Sequence, residues 1–282
     1  MTHQLAQEVR NRLRRAADRD RAAEMQRYMK SSMPYRGVGA PGQRLIWRTV
    51  FPAHPLESFA EWQAVALELW REAAFREERY AAIALTDLKM YASYRTFAAV
   101  AMFEEMIVAG AWWDYVDALA THHLGDVLRA ELDEGKGARM RALLLRWARG
   151  DNLWKRRAAI LCQVRFKAET DLRLLYACIE PSLLSVDPTS ATPSLRELRR
   201  TRAVALRAEA DKATAVKPSR RPGKDIRHDF FIRKAIGWAL RQYGWTDAGE
   251  VRRYVIAHRD RLSPLSIREA LKNVAPQGRA KK

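Results

Sequence analysis

Cysteine is nearly absent: the 282 residues hold two, Cys162 and Cys178. Two thiols cannot build a disulfide framework or a four-cysteine zinc site, and they suit a reducing cytoplasm. Long apolar runs are missing too. The nearest approach, residues 98–113, is broken by Glu104 and Glu105 and falls short of the roughly 18 apolar residues a membrane span needs. The N-terminus carries Arg10, Arg12, Arg14 and Arg15 and no apolar h-region, so a secretory signal is not expected. Alternating strand-type patterns are weak throughout. Acids are the minority charge, 33 Asp and Glu against 51 Lys and Arg, for a formal balance of +18. What the chain does have is a 48% apolar content, enough for a sizeable core and too much for general disorder. A soluble, cytoplasmic protein with no membrane partner is expected.

A surplus of this size calls for a polyanionic partner. Membrane surfaces qualify in principle, but no lipidation motif or membrane-type amphipathic helix accompanies the charge, so nucleic acid is favoured.

Helical periodicity is frequent. Apolar residues recur at three- and four-residue spacing over 59–69, 80–88, 97–108, 112–128, 143–147, 153–164 and 230–243. Asp151 precedes an expected helix over 152–167, Ser263-Pro264 opens the last helix, and Asp247 with Glu250 has capping-box spacing. The class is all-α. Similar stretches place alanines at 82, 118, 159, 235 and 270, with steps of 36, 41, 76 and 35. Paired-helix repeats of the HEAT kind have a period of roughly 40 residues, and the long step accommodates one repeat plus an insertion. The expectation is a single domain over 1–282, an α-solenoid of HEAT-like repeats with a concave basic face.

The insertion falls at 181–224, which holds five of the eleven prolines, ten basic residues and four acids. A short exposed helix could run from Ser194 to about Asp211, but the segment reads mainly as a basic, mobile excursion between two helices. Residues 277–282 read as a basic disordered tail.

Three helices carry residues that break their own pattern. In 230–243, Ile232, Ala235, Ile236, Ala239, Leu240 and Tyr243 share one face, while Trp238 lies opposite, flanked by Lys234 and Arg241. Such a tryptophan suits stacking or cation–π contact with nucleic acid; packing against the next repeat is the alternative. Arg157 projects within the apolar stripe of Leu153, Ile160, Leu161 and Val164, where it must meet a carboxylate or reach a phosphate. Trp113 and Asp117 lie one turn apart and could hold a cationic group between them, whereas Asp114 reads as a solvated first-turn acid. Equivalent helices of a solenoid line a common face, so Trp113, Asp117, Arg157 and Trp238 could converge.

Other templates fail. His122 and His123 are adjacent and point apart on a helix, so no metal site is assigned. The stretch Gly37-Val38-Gly39-Ala40-Pro41-Gly42 lacks the Gly-Lys-Ser/Thr ending of a phosphate loop and follows no strand, so it reads as a plain turn. No Ser-His-Asp or Cys-His nucleophile stands out, and no cofactor is implied.

At these residues the sequence resembles the AlkD-like DNA alkylation repair family, the HEAT-like-repeat DNA glycosylases. The similar stretches are Arg27-Tyr28-Met29-Lys30 through Gly37-Val38, Trp112-Trp113-Asp114-Tyr115-Val116-Asp117, Leu124-Gly125-Asp126 and Asp151-Asn152-Leu153-Trp154 through Leu161. They continue in Phe230 through Trp238, Leu262-Ser263-Pro264-Leu265-Ser266 and Arg268-Glu269-Ala270. The segment 181–224 has no counterpart in the family pattern. The resemblance implies removal of alkylated, cationic purines such as N3-methyladenine and N7-methylguanine from double-stranded DNA in base excision repair. It places the catalytic aspartate on Asp117, the two active-site tryptophans on Trp113 and Trp238, and the active-site arginine on Arg157. Lys234, Arg241, Tyr28 and Lys30 are the expected DNA contacts, and the chain is expected to act as a monomer. The alternative is a non-catalytic HEAT-repeat protein that binds distorted or branched DNA.

Overall fold

The computed structural model describes residues 3–184 and 229–274, and every regular element among them is helical. Fourteen α-helices pair into two layers. One layer stacks α5 (Arg76–Asp87), α7 (Trp113–Ala118), α10 (Leu153–Leu161), α12 (Phe230–Tyr243) and α14 (Pro264–Ala270), each in contact with the next. Behind it lie α4 (Phe59–Arg71), α6 (Val100–Gly110), α9 (Gly137–Arg149), α11 (Leu172–Ile179) and α13 (Ala248–Ala257). This is the all-α helical-repeat solenoid that the spacing of alanines predicts. Ala82, Ala118, Ala159, Ala235 and Ala270 fall one on each helix of the first layer, and all but the partly buried Ala118 are buried.

Side-chain caps set most boundaries. Ser58, Asp171, Asp229, Asp247 and Ser263 each accept a backbone N–H of the first turn they precede. The α10 cap is Asn152 rather than Asp151; its Oδ1 takes the N–H groups of Trp154 and Lys155 at 3.0 Å. That helix also stops at Leu161, short of the expected 167. Gln163 brackets the backbone of Asp171, accepting its N–H at 2.8 Å and donating to its carbonyl at 3.1 Å, which turns the chain toward α11.

Three N-terminal helices give no clear sequence signal yet close that end. In α1 (Gln4–Arg15), Leu5, Val9 and Leu13 form a buried stripe within an arginine-rich stretch. Between α2 (Arg19–Met29) and α3 (Ala40–Ala53), the N–H groups of Arg36, Gly37 and Val38 converge on the Glu77 carboxylate at 2.9–3.1 Å. The glycine turn does cradle an anion, but an internal one. Gly37 has φ +86, and a Cβ there would sit 1.9 Å from the Asp18 carbonyl, so only glycine fits.

Most of 181–224 and all of 277–282 lie outside the described residues. Where the segment departs, the Leu184 N–H donates to the Arg261 carbonyl at 2.9 Å. No helix of the described residues is long and apolar enough to cross a membrane.

Candidate active site

Within the first layer, α7 carries the densest chemistry. Its six residues are followed by a π-helical turn over Leu119–Leu124 and then by α8 (Gly125–Asp133). Val116 and Leu119 are buried, and Trp113 and Asp117 share a partly buried edge one turn apart. From α10, Arg157 meets that edge. Its Nε donates to Asp117 Oδ1 at 2.7 Å, and a terminal nitrogen donates to Oδ2 at 2.8 Å. The other terminal nitrogen donates to the Phe231 carbonyl at 2.6 Å, tying the pair to the start of α12. Of the two partners the sequence allows Arg157, the structure shows the carboxylate.

The pair is buried: the Arg157 side chain is 6% exposed and that of Asp117 16%. Burial raises the Asp117 carboxyl above its ordinary value, against the pull of the Arg157 hydrogen bonds and charge. Each Asp117 oxygen accepts one bond and keeps a second acceptor position.

Arg157 opens onto a cleft of about 260 Å³, walled also by Trp113, Phe231, Lys234, Trp238 and Arg241; Asp117 is not among the wall residues and reaches the cleft only through Arg157. Trp238 packs against the core, as one of its two sequence readings has it, and its remaining surface lines this cleft. The cations at its flanks are anchored. Lys234 and Arg241 reach opposite oxygens of the buried Glu269 at 2.9 and 2.8 Å, and Lys272 adds a third contact at 2.8 Å. Burial alone would raise Glu269; the hydrogen bonds and charges of Lys272 and Lys234 outweigh it and hold the carboxyl at about 2. Three cations on one carboxylate leave this cluster with two surplus positive charges, and two of the cations, Lys234 and Arg241, line the cleft.

One expectation changes. Asp114 is not solvated: one terminal nitrogen of Arg76 lies 2.8 Å from both its oxygens, and the Tyr80 hydroxyl donates at 2.6 Å. Arg76 opens α5 with its side chain turned into the protein, and a helix boundary four residues upstream of Tyr80 gives no hint of that from sequence. Tyr28 and Lys30 lie outside the cleft wall; Tyr28 stands 78% exposed near the end of α2, and Lys30 closes that helix in a left-handed conformation.

Sequence reasoning missed three residues of the cleft. Glu269 belongs to a quoted stretch but carries no visible role there. Phe230 and Phe231 open α12, and Phe230 is 51% exposed at the rim with its ring edge-on to Phe231. An exposed phenylalanine in a first helical turn, off the apolar stripe, is the signal that could have found them. His122 pairs with Asp87, and buried His123 meets the Thr86 hydroxyl at 2.9 Å, so the two rings face different partners.

The comparisons point one way. A family model described as DNA alkylation repair enzyme matches residues 9–187 and 226–274. A solved structure described as a predicted DNA alkylation repair enzyme from Enterococcus faecalis is similar at 25% identity with a TM-score of 0.64, over 92% of this chain and 97% of that one. A comparison with curated proteins finds no match. With the family model spanning most of the sequence, the α7, α10 and α12 stretches of the cleft included, the chain belongs to the DNA alkylation repair enzyme family.

Proposed function

We propose that the chain is a monofunctional DNA glycosylase that hydrolyses the N-glycosidic bond of alkylated, cationic purines such as N7-methylguanine and N3-methyladenine in duplex DNA. The observation that carries this reading is one open cleft walled by Trp113, Trp238 and Arg157, with Asp117 bound bidentately to that arginine. An alkylated purine already bears positive charge, so it departs as a neutral base with little need of a general acid. What grows during cleavage is positive charge on the deoxyribose, as in other oxocarbenium-like glycosidic reactions.

Each residue answers one part of that demand. The indole faces of Trp113 and Trp238 can bracket a cationic sugar, each contact worth about 0.5–2 kcal/mol. The ionised Asp117 can stabilise the developing charge and use its second acceptor position to orient water. Three of the five Arg157 N–H hydrogens are engaged by Asp117 and Phe231, so its first task is to aim the carboxylate; two remain for a phosphate. A phosphate held bidentately along the Nε edge is a role the Asp117 contact displaces. Lys234 and Arg241, fixed by Glu269, offer the second phosphate contact. We place this activity in the cytoplasm, on chromosomal DNA, by a monomer acting in base excision repair.

The test is release of free base from duplex DNA containing N7-methylguanine. Release by the wild-type chain that falls by about 10²–10³ in Asp117→Asn supports the reading. Tight duplex binding without release, for both N7-methylguanine and N3-methyladenine, favours a non-catalytic DNA-binding solenoid in which Asp117 and Arg157 form a structural ion pair.

A further inference from the structure

α7 begins at Trp113 after a residue, Trp112, that supplies no side-chain cap, and it runs on through the π-helical turn into α8. Two arginines from neighbouring helices hold its uncapped beginning. Arg157 of α10 takes Asp117 from one side, and Arg76 of α5 takes Asp114 from the other. We propose that Arg76, Asp114 and Tyr80 form a positioning clamp that sets the first turn of α7, and with it Trp113 on the cleft wall and Asp117 against Arg157. The inference rests on reading that cleft as the excision site.

The clamp is more than one ion pair. The Arg76 side chain is 5% exposed, and its Nε donates to the Tyr80 hydroxyl at 3.2 Å. Its remaining terminal nitrogen donates to Ser31 Oγ at 3.3 Å, and its guanidinium lies 4.2 Å from the centre of the Tyr115 ring. The Tyr80 hydroxyl bridges Asp114 at 2.6 Å and the Tyr35 hydroxyl at 2.9 Å. Asp114 is therefore fixed by two donors while its chain neighbour Trp113 walls the cleft. None of the three clamp residues lines the cleft, so each acts through α7. Burying a charged network here costs desolvation that an apolar contact would avoid. What the ions add is a fixed angle and register for the helix, the property a reaction centre needs to within a fraction of an ångström.

Two readouts on the full-length chain test this. The first is the single-turnover rate of N7-methylguanine release, beside affinity for undamaged duplex. Asp114→Asn is expected to slow release roughly 10- to 100-fold, the scale of a misplacement of about 1 Å, with duplex affinity unchanged. Tyr80→Phe should lose less in the same direction. Val9→Ala, which opens a gap in α1 away from the cleft, controls for instability and should keep the wild-type rate at a comparably lowered melting temperature. The second readout is fluorine NMR of 5-fluorotryptophan-labelled protein, with the Trp113 signal assigned through Trp113→Phe. That signal should shift or broaden in Asp114→Asn, while that of the buried Trp147 stays in place.

A release rate in Asp114→Asn equal to wild type overturns the clamp, as does an equal loss in Val9→Ala. A wild-type chain that releases no base overturns the glycosylase reading alone. The fluorine spectrum still decides the clamp in that case, and an unmoved Trp113 signal overturns it.

Discussion

Asp117 carries the heaviest demand of any single residue. Replacing it with Asn keeps the volume and some hydrogen bonding to Arg157 but removes the charge, so excision should fall by about 10²–10³ while duplex affinity holds. Rates measured beside filter or anisotropy binding check this, and parallel losses in both would make Asp117 structural. Its titration gives a second expectation. Because burial lifts the Asp117 carboxyl above its ordinary value, the ionised form is lost earlier on acidification than for a solvent-exposed aspartate. The acid limb of the excision profile should therefore lie above the usual aspartate range, and a profile flat through mildly acidic pH would contradict it. At this scale the sequence was eloquent where a residue broke its own pattern. Arg157 in an apolar stripe and Trp238 on a polar face both announced themselves. Asp114 did not, because an acid in a first helical turn is ordinary, and only the fold brings Arg76, 38 positions earlier, against it.

Between elements, the contact of α12 with α14 governs the cleft wall. Gly237 lies where the two helices meet, and a Cβ there would fall 2.4 Å from the Glu269 Cβ and 3.0 Å from the Ser266 carbonyl. Gly237→Ala should cost roughly 1–3 kcal/mol of stability, read by denaturant unfolding, because two backbones must part. An unchanged midpoint would show that α14 yields freely. Glu269 ties the same contact electrostatically. Its carboxyl is held at about 2 against an ordinary 4.5, so its ionised form contributes stability that is complete above 4.5 and lost as pH falls through about 2. Wild type should lose this stability on acidification through that window, and Glu269→Gln should show no such component. Helices of this part were legible: 230–243 was read with its observed ends, since a capping aspartate and a strong apolar stripe bound it. The N-terminal helices were not, because α2 buries little and the α1 stripe hides among arginines.

For the whole molecule, the repeat read from five alanines is the layer that carries the site. Small residues recur there because neighbouring helices approach closely, a constraint visible in sequence as a spacing. The turn at Gly37 was less legible, since a loop shaped to hold an anion looks the same whether the anion is a ligand or Glu77. A charge of +18 should make binding to undamaged duplex fall steeply as salt rises, with log K linear in log salt. A salt-insensitive affinity would remove phosphate contacts as the main source of binding. The most direct measurement remains free-base release from N7-methylguanine duplex by the wild-type chain and by Asp117→Asn, side by side. Release by the first and a rate lower by about 10²–10³ in the second is the expected result; equal release by both would contradict a reaction centred on this carboxylate.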